Sequence, residues 1–347
     1  MLDRTHRVQN LETKMEFAEI AGTSLKVSRI AMGTWAVGGW MWGGTDEKQS
    51  IAAIREALDH GINVIDTAPV YGFGRSEEIV GKALQGIRSN VIVATKVGLE
   101  WSGDKVFRKA SRSRILREVE DSLRRLQTDY IDIYQVHWPD PLVPVDETAE
   151  VMDTLLRQGK IRAIGVSNFS VEQIQQFRWA APLHVVQPPY NLFERGIEGN
   201  VLPYCRREGI TTFAYGALCR GLLSGRMRPE TAFTGDDLRR VDPKFQPPRF
   251  QQYLAAVEAL DRLARAGYGK RVLALAVRWI LDQGVTVALW GGRRADQIRP
   301  VDDVVGWHLS PDVKARIEAV LRDTITDPVG PEFMAPPARA LNATEVA

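Results

Sequence analysis

Cysteine is nearly missing from this chain: Cys205 and Cys219 are the only two among 347 residues. Two thiols make no disulfide framework, and their spacing fits no metal-ligand pattern, so a reduced, cytoplasmic protein is expected. An excess of either charge is missing too. Lys and Arg number 45 against 43 Asp and Glu, a net charge of +2, with the signs mixed along the chain. There is thus no electrostatic case for nucleic acid or a membrane as partner, and a small neutral molecule is the better expectation. No apolar run reaches the length of a membrane-crossing helix. Met1 to Lys14 is polar and lacks the apolar segment of a signal peptide. Nothing in the sequence indicates an oligomeric state.

What is present is a rhythm. A hairpin is expected first, Phe17–Ile20 and Leu25–Val27 with Gly22 and Thr23 at the turn. Strands are expected at 29–34, 62–66, 91–95, 131–136, 162–166, 185–188, 210–215 and 285–289. Between them lie helices: one opened by Asp46 and closed by Gly61, then 76–86 capped by Ser76, 112–126, 147–158, 170–179, 199–208 and 294–303. A long loop and further helices follow the seventh barrel strand. Runs such as Val91–Ala94 are apolar throughout, as in a parallel sheet covered by helices. Eight units predict an α/β fold, a (β/α)8 TIM barrel with an N-terminal β-hairpin cap and long loops at the C-terminal face. An open doubly wound sheet would need a glycine-rich phosphate loop, and Gly72-Phe73-Gly74-Arg75-Ser76-Glu77 lacks the third glycine. Barrels of this kind reach this length as one domain, so 1–14 is read as an extension, 15–325 as the barrel domain and 326–347 as a tail. The tail looks linker-like, with Pro328, Pro331, Pro336 and Pro337.

Three consecutive strands stop at ionisable residues. Ile62–Ile65 runs into Asp66, and a proline-containing turn places Tyr71 five residues later; Val91–Thr95 runs into Lys96, and Ile131–Val136 into His137. Singly, each is more often a solvated loop residue or a packed ring. Together, at the ends of neighbouring parallel strands, they converge on one face. A phenol of pKa about 10 is a poor acid near neutrality, and the Lys96 ammonium is expected to lower that value. Lys96 needs a counter-ion, for which Asp66 is the candidate. Tyr71 would be the general acid, with His137 orienting a carbonyl oxygen.

The Asp66-x4-Tyr71 pattern, Ala94-Thr95-Lys96-Val97-Gly98 and Gln135-Val136-His137-Trp138 resemble the aldo-keto reductases, a bacterial member related to the potassium-channel β-subunit-like branch. Met32-Gly33-Thr34-Trp35, Gly165-Val166-Ser167-Asn168-Phe169, Gly221 to Arg226 and Gly291 to Gln297 keep the family order, from about residue 16 to 325. The resemblance implies reversible reduction of an aldehyde or ketone to an alcohol by NADP(H), with NAD(H) possible. It implies cofactor contacts at Thr34, Trp35 and Asp66, carboxamide contacts at Ser167, Asn168 and Gln187, and ring stacking on Tyr215. Gly216, Leu218, Gly221, Leu223 and Arg226 would meet the pyrophosphate. Gly291, Gly292, Arg293, with its neighbour Arg294, and Gln297 would meet the ribose phosphate, favouring NADPH. The chain departs from the family at Trp290, where proline is common, and at Pro300 and Val301, where a Glu-Asn pair touches adenine.

Trp40 and Trp42 concentrate aromatic surface in the glycine-rich loop 36–45. Trp35, Trp42, Trp101, Phe107 and Trp138 are the candidate substrate pocket, suited to aromatic, cyclic or sugar-derived carbonyls. The basic loop Arg228–Arg249, with Arg239, Arg240, Lys244 and Arg249, reads by itself as a solvated loop, and the resemblance implies that it folds over the pyrophosphate as a clamp. Two other readings stay open here: a cofactor-binding, redox-sensing regulatory subunit, as implied by the β-subunit resemblance, and a barrel aldolase using Lys96 as a Schiff base.

Overall fold

The computed structural model describes residues 15–340; residues 1–14, read as an extension, and 341–347, the end of the tail, lie outside it. The hairpin β1 (Phe17–Glu19) and β2 (Lys26–Ser28) is antiparallel. Eight units follow: β3 (Ile30–Gly33) and α1 (Glu47–Asp59); β4 (Val64–Asp66) and α2 (Arg75–Ala83); then β5 (Ile92–Val97), a second hairpin β6 (Leu99–Ser102) and β7 (Lys105–Arg108), and α3 (Arg112–Leu126). Next come β8 (Ile131–Val136) and α4 (Val145–Arg157), β9 (Ile161–Ser167) and α5 (Val171–Ala180), β10 (Val185–Gln187) and α6 (Val201–Arg207). The chain ends with β11 (Thr211–Ala214), α7 (Arg249–Tyr268), α8 (Val272–Asp282), β12 (Val287–Gly291), α9 (Ala295–Ile298) and α10 (Pro311–Thr324).

The eight barrel strands close in the order β3-β4-β5-β8-β9-β10-β11-β12 and back to β3, all parallel. Alternation along each strand sorts the side chains. Ala31, Val64, Ile92, Ile133, Ala163, Val185, Phe213 and Val287 share one cluster inside the barrel, which Ile20, Leu25 and Val27 of the first hairpin join. Two residues further along the same inward face come Asp66, Gln135, Gln187 and Tyr215, and four residues beyond Ile92 and Ala163 come Lys96 and Ser167. The apolar interior therefore gives way to a polar layer at the C-terminal end.

The structure departs from expectation in places. Ser76 does not cap α2: Gly74, in the left-handed region at φ 101°, is the cap residue, and the buried Ser76 hydroxyl donates to Thr34 while accepting from Thr67. The helix expected at 294–303 is α only over Ala295–Ile298, because Pro300 continues it as a 3-10 turn. Residues 99–108 form a hairpin that the sequence did not announce. The stretch read as linker-like is docked instead. Val329 N–H donates to Tyr253 Oη, Gly330 O accepts from Lys244, Pro337 O accepts from Arg108 N–H, and Arg339 pairs with Asp140 at 2.5 Å. Residues 329–339 thus form a strap across the open end of the barrel.

Candidate active site

Asp66, Lys96 and His137 meet because β4, β5 and β8 are adjacent and in register, with Asp66 opposite Ala94 and Lys96 opposite Gln135. Lys96 Nζ donates to Asp66 Oδ1 at 2.6 Å, to Thr67 O at 3.0 Å and to Tyr71 Oη at 3.3 Å. All three ammonium hydrogens are engaged, which favours the charged form, and that form has no lone pair with which to make a Schiff base. Tyr71 arrives from a turn pinned by backbone contact. A Cβ on Gly72 would lie 2.1 Å from Gly38 O, and one on Gly38 would lie 2.4 Å from the Tyr71 carbonyl carbon. The Tyr71 ring stacks on Trp35 at 6.0 Å and meets the edge of His137 at 5.8 Å.

The electrostatics correct one expectation. Lys96 does not bring the Tyr71 phenol down; burial, and then the Asp66 carboxylate, push it well above its ordinary value of 10.0. Burial draws the ammonium itself below its ordinary value, against the opposing pull of Asp66 and Glu77. His137 is held well below its usual value by burial and by the Lys96 charge, so its ring is neutral. Because Lys96 donates into a lone pair of Tyr71 Oη, the phenolic proton is left to point elsewhere. The arrangement suits a stored acid that releases its proton only to a strong base, such as a nascent alkoxide.

Two cavities adjoin here. The mouth cavity, about 280 Å³, is lined by Trp35, Tyr71, His137, Trp138, Ser167, Asn168, Gln187 and Tyr215. Trp40, Met41, Val70, Leu99, Val106, Met334 and Pro336 complete its wall; Trp40 and Met41 come from the aromatic loop 36–45, and the other five were not singled out as site residues. The cleft beside it, about 220 Å³, is lined by Thr34, Trp35, Asp66, Tyr215, Gly216, Leu218, Gly221, Gly291, Gly292, Arg293 and Gln297. Arg226 stands further along, with Arg239 and Pro300.

Four expected site residues lie elsewhere. Leu223 is buried in the core and its N–H donates to Leu218 O, so it offers the cleft nothing. Trp42 lines the cleft rather than the mouth cavity. Trp101 and Phe107 also miss the mouth cavity, Phe107 for a reason of register and Trp101 by its packing. Phe107 pairs with Glu100, so it faces away from Leu99 and Val106. Trp101 shares the face of Val106 but packs against Phe73 and the Arg114 guanidinium. Alternation would have exposed this had the hairpin been foreseen. The loop 228–249 is also less free than its charges suggested: Arg239 pairs with Asp237, Lys244 with Glu194, and Arg249 with Asp327.

The cleft carries the features of an anion cradle. Gly216, at φ 73°, Ala217 and Leu218 line it, and among the described residues none of their N–H groups has an acceptor. Three consecutive unpaired amides form a nest that fits a diphosphate. Beyond the glycines, Arg293 donates to Trp42 O and Gly44 O, while both ends of the Arg294 fork go to Asp296.

A family model for the Aldo/keto reductase family matches residues 29–322. The chain is 62% identical over 328 residues to the Aldo-keto reductase YhdN of Bacillus subtilis (strain 168), covering 94% of this chain and 99% of that protein. It is 36% identical over 302 residues to the NADH-specific methylglyoxal reductase of Escherichia coli (strain K12), covering 82% and 92%. Among solved structures, a glycerol dehydrogenase from Gluconobacter oxydans superposes with a TM-score of 0.84 at 52% identity, covering 92% of this chain and 99% of that one. An aldo/keto reductase from Klebsiella pneumoniae in complex with NADP and acetate superposes with a TM-score of 0.66 at 30% identity, covering 91% and 94%. With a closed parallel barrel, Asp66, Tyr71, Lys96 and His137 gathered at its C-terminal end, and a match spanning all four, the chain belongs to the aldo/keto reductase family and is an NAD(P)-dependent oxidoreductase.

Proposed function

We propose that this protein reduces an uncharged aldehyde or ketone to the alcohol, reversibly, with NADPH preferred and NADH accepted. The observation that carries the reading is the chain Asp66 to Lys96 to Tyr71, ending at a mouth cavity whose lining, among the described residues, includes no Lys, Arg, Asp or Glu. The cofactor, when bound, supplies the hydride. Tyr71 gives its proton to the carbonyl oxygen as negative charge develops there, and Lys96 stabilises the phenolate that results. Asp66 keeps Lys96 charged and aimed. Neutral His137 orients the same oxygen, and in the reverse direction Tyr71 acts as the base.

The unpaired amides of Gly216, Ala217 and Leu218 support a diphosphate in the cleft, and Ser167, Asn168 and Gln187 support a carboxamide beside Tyr71. Arg226 and Arg293 support a ribose phosphate, although Asp296 lies 3.6 Å from Arg226 and competes for it. Met334 and Pro336 of the strap make the tail part of the catalytic unit rather than a linker. A cytoplasmic setting belongs to the same reading, since Cys205 and Cys219 are buried free thiols, each pushed by burial up to about 12.

The test is oxidation of reduced nicotinamide across neutral aldehydes, ketones and dicarbonyls, with NADPH and NADH side by side. Turnover on a neutral carbonyl, faster with NADPH, is expected. Cofactor binding without turnover on any carbonyl would favour a sensing subunit. A Tyr71→Phe protein should bind the cofactor like the wild type while losing about 10²–10⁴-fold in turnover; full activity in that variant would remove Tyr71 as the acid.

A further inference from the structure

Gln135 has no part in the proton path, yet it lies buried in the polar layer directly beneath it. It follows the inward-facing Ile133 by two residues on β8, so it too points into the barrel. Room has been made for it. Gln135 is paired with Gly165 on β9, and a Cβ on that glycine would lie 2.7 Å from Gln135 Cγ.

Its bonds close a triangle. Asp66 Oδ1 takes Lys96, while Oδ2 accepts from Gln187 Nε2 at 2.8 Å and from Gln135 Nε2 at 3.3 Å. Gln187 Nε2 also donates to Gln135 Oε1 at 3.3 Å. A carboxylate only accepts, so both amides must turn their nitrogens toward Asp66. The Gln187 amide then has both N–H groups engaged inside the barrel, one on Asp66 and one on Gln135. Its Oε1 is the remaining atom, without a donor among the described residues, in a side chain that lines the mouth cavity. Reversing the amide would set oxygen against oxygen at two acceptors, Asp66 and Gln135. With Gln135 removed, only one acceptor would oppose the reversal.

We infer that Gln135 is a positioning residue that locks the Gln187 amide with its oxygen toward the cavity, so that the site demands an N–H donor on the cofactor ring. The inference rests on the proposed nicotinamide site and adds what enforces its choice of the carboxamide. A ring substituent with a methyl group in place of the amide NH₂ leaves Gln187 Oε1 unpaired and should be rejected.

Dissociation constants measured by tryptophan fluorescence for NADP⁺ and its 3-acetylpyridine analogue test this without turnover. Wild type should prefer the carboxamide by about 10-fold, the scale of one well-made hydrogen bond. Gln135→Met, which conserves volume but offers neither donor nor acceptor, should lower that preference to about 3-fold, because Asp66 alone still opposes the reversal. Gln135→Glu supplies the control. Beside Asp66 its carboxyl is held protonated at mildly acidic pH, where it donates to Asp66 and accepts from Gln187, so the preference should return. An unchanged preference in Gln135→Met would overturn the lock. If Gln135→Met does not fold, loss of the preference in Gln135→Glu under those acidic conditions would do so. Wild type that binds neither dinucleotide would overturn the nicotinamide reading itself, and the lock with it.

Discussion

Tyr71 and His137 carry opposite shifts from one cause, exclusion of water. Burial disfavours phenolate and imidazolium alike, raising one group and lowering the other. Carbonyl reduction needs phenol and neutral imidazole, so its rate should stay flat across neutral pH and fall only in strong alkali. Alcohol oxidation needs phenolate and should climb with pH over the same range. Rates in the two directions against pH check this, and a reduction rate that halves between neutral and mildly alkaline pH would contradict it. His137 also bears on stability. Its folded value lies below the unfolded one, about 6.5, so at lower pH the unfolded chain binds a proton that the native site refuses, and stability falls as pH drops through that value. Much was legible at this scale: Asp66, Tyr71, Lys96 and His137 could be named because each ends or follows an apolar strand. The direction of the Tyr71 shift was not legible, since it depends first on how much water the folded site excludes from the phenol and then on the nearness of Asp66.

At the scale of elements, the turn carrying Tyr71 is positioned by one backbone contact. Gly72 has φ 67° and no space for a Cβ beside Gly38 O. Gly72→Ala should shift the turn by something like 1 Å and lower turnover about 10²-fold, with cofactor affinity near that of wild type. Equal turnover would mean that the contact is not what places the phenol. A second contact joins two loops across the cleft. Asp236 accepts from Met41 N–H at 2.8 Å and Gly43 N–H at 3.1 Å, and Leu238 N–H donates to Met41 O. Asp236→Ala removes this latch and should speed cofactor dissociation several-fold in stopped flow, as loss of two exposed hydrogen bonds allows. An unchanged rate would show that release takes another route. The sequence showed a long basic loop in 228–249 but not its partner, because a carboxylate meeting two amides nearly two hundred residues away leaves no local pattern. The hairpin of β6 and β7 escaped for a related reason: its residues alternate too briefly to stand out from a loop.

Across the whole molecule, the strap, the 219–225 turn and the loop 228–249 meet at one buried cluster. Arg220 pairs with Glu194 at 2.5 Å and with Asp242 at 2.6 Å, and Lys244 adds a bond to Glu194 at 2.8 Å. Two acids and two bases balance there, all almost fully buried. Arg220→Ala would leave two carboxylates against one ammonium and should cost about 3–5 kcal/mol, read as a lower urea midpoint. Since Arg220 also lines the cleft, cofactor affinity should fall with it. A midpoint within error of wild type would show that the cluster relaxes with water.

The sequence by itself determined the barrel, the order of its strands and the residues at their C-terminal ends. Those follow from apolar periodicity and from polar residues that stop each strand, both local properties of the chain. Tertiary structure alone decided what surrounds that site. Met334 and Pro336 come to the mouth cavity from a proline-containing tail, Phe107 leaves it by register, and Trp101 packs instead against Phe73 and Arg114. Gln135 joins Asp66 to Gln187 through the closed barrel. Each of these depends on groups far apart in the chain meeting in space, and on how much water the meeting excludes, which no local pattern of residues encodes.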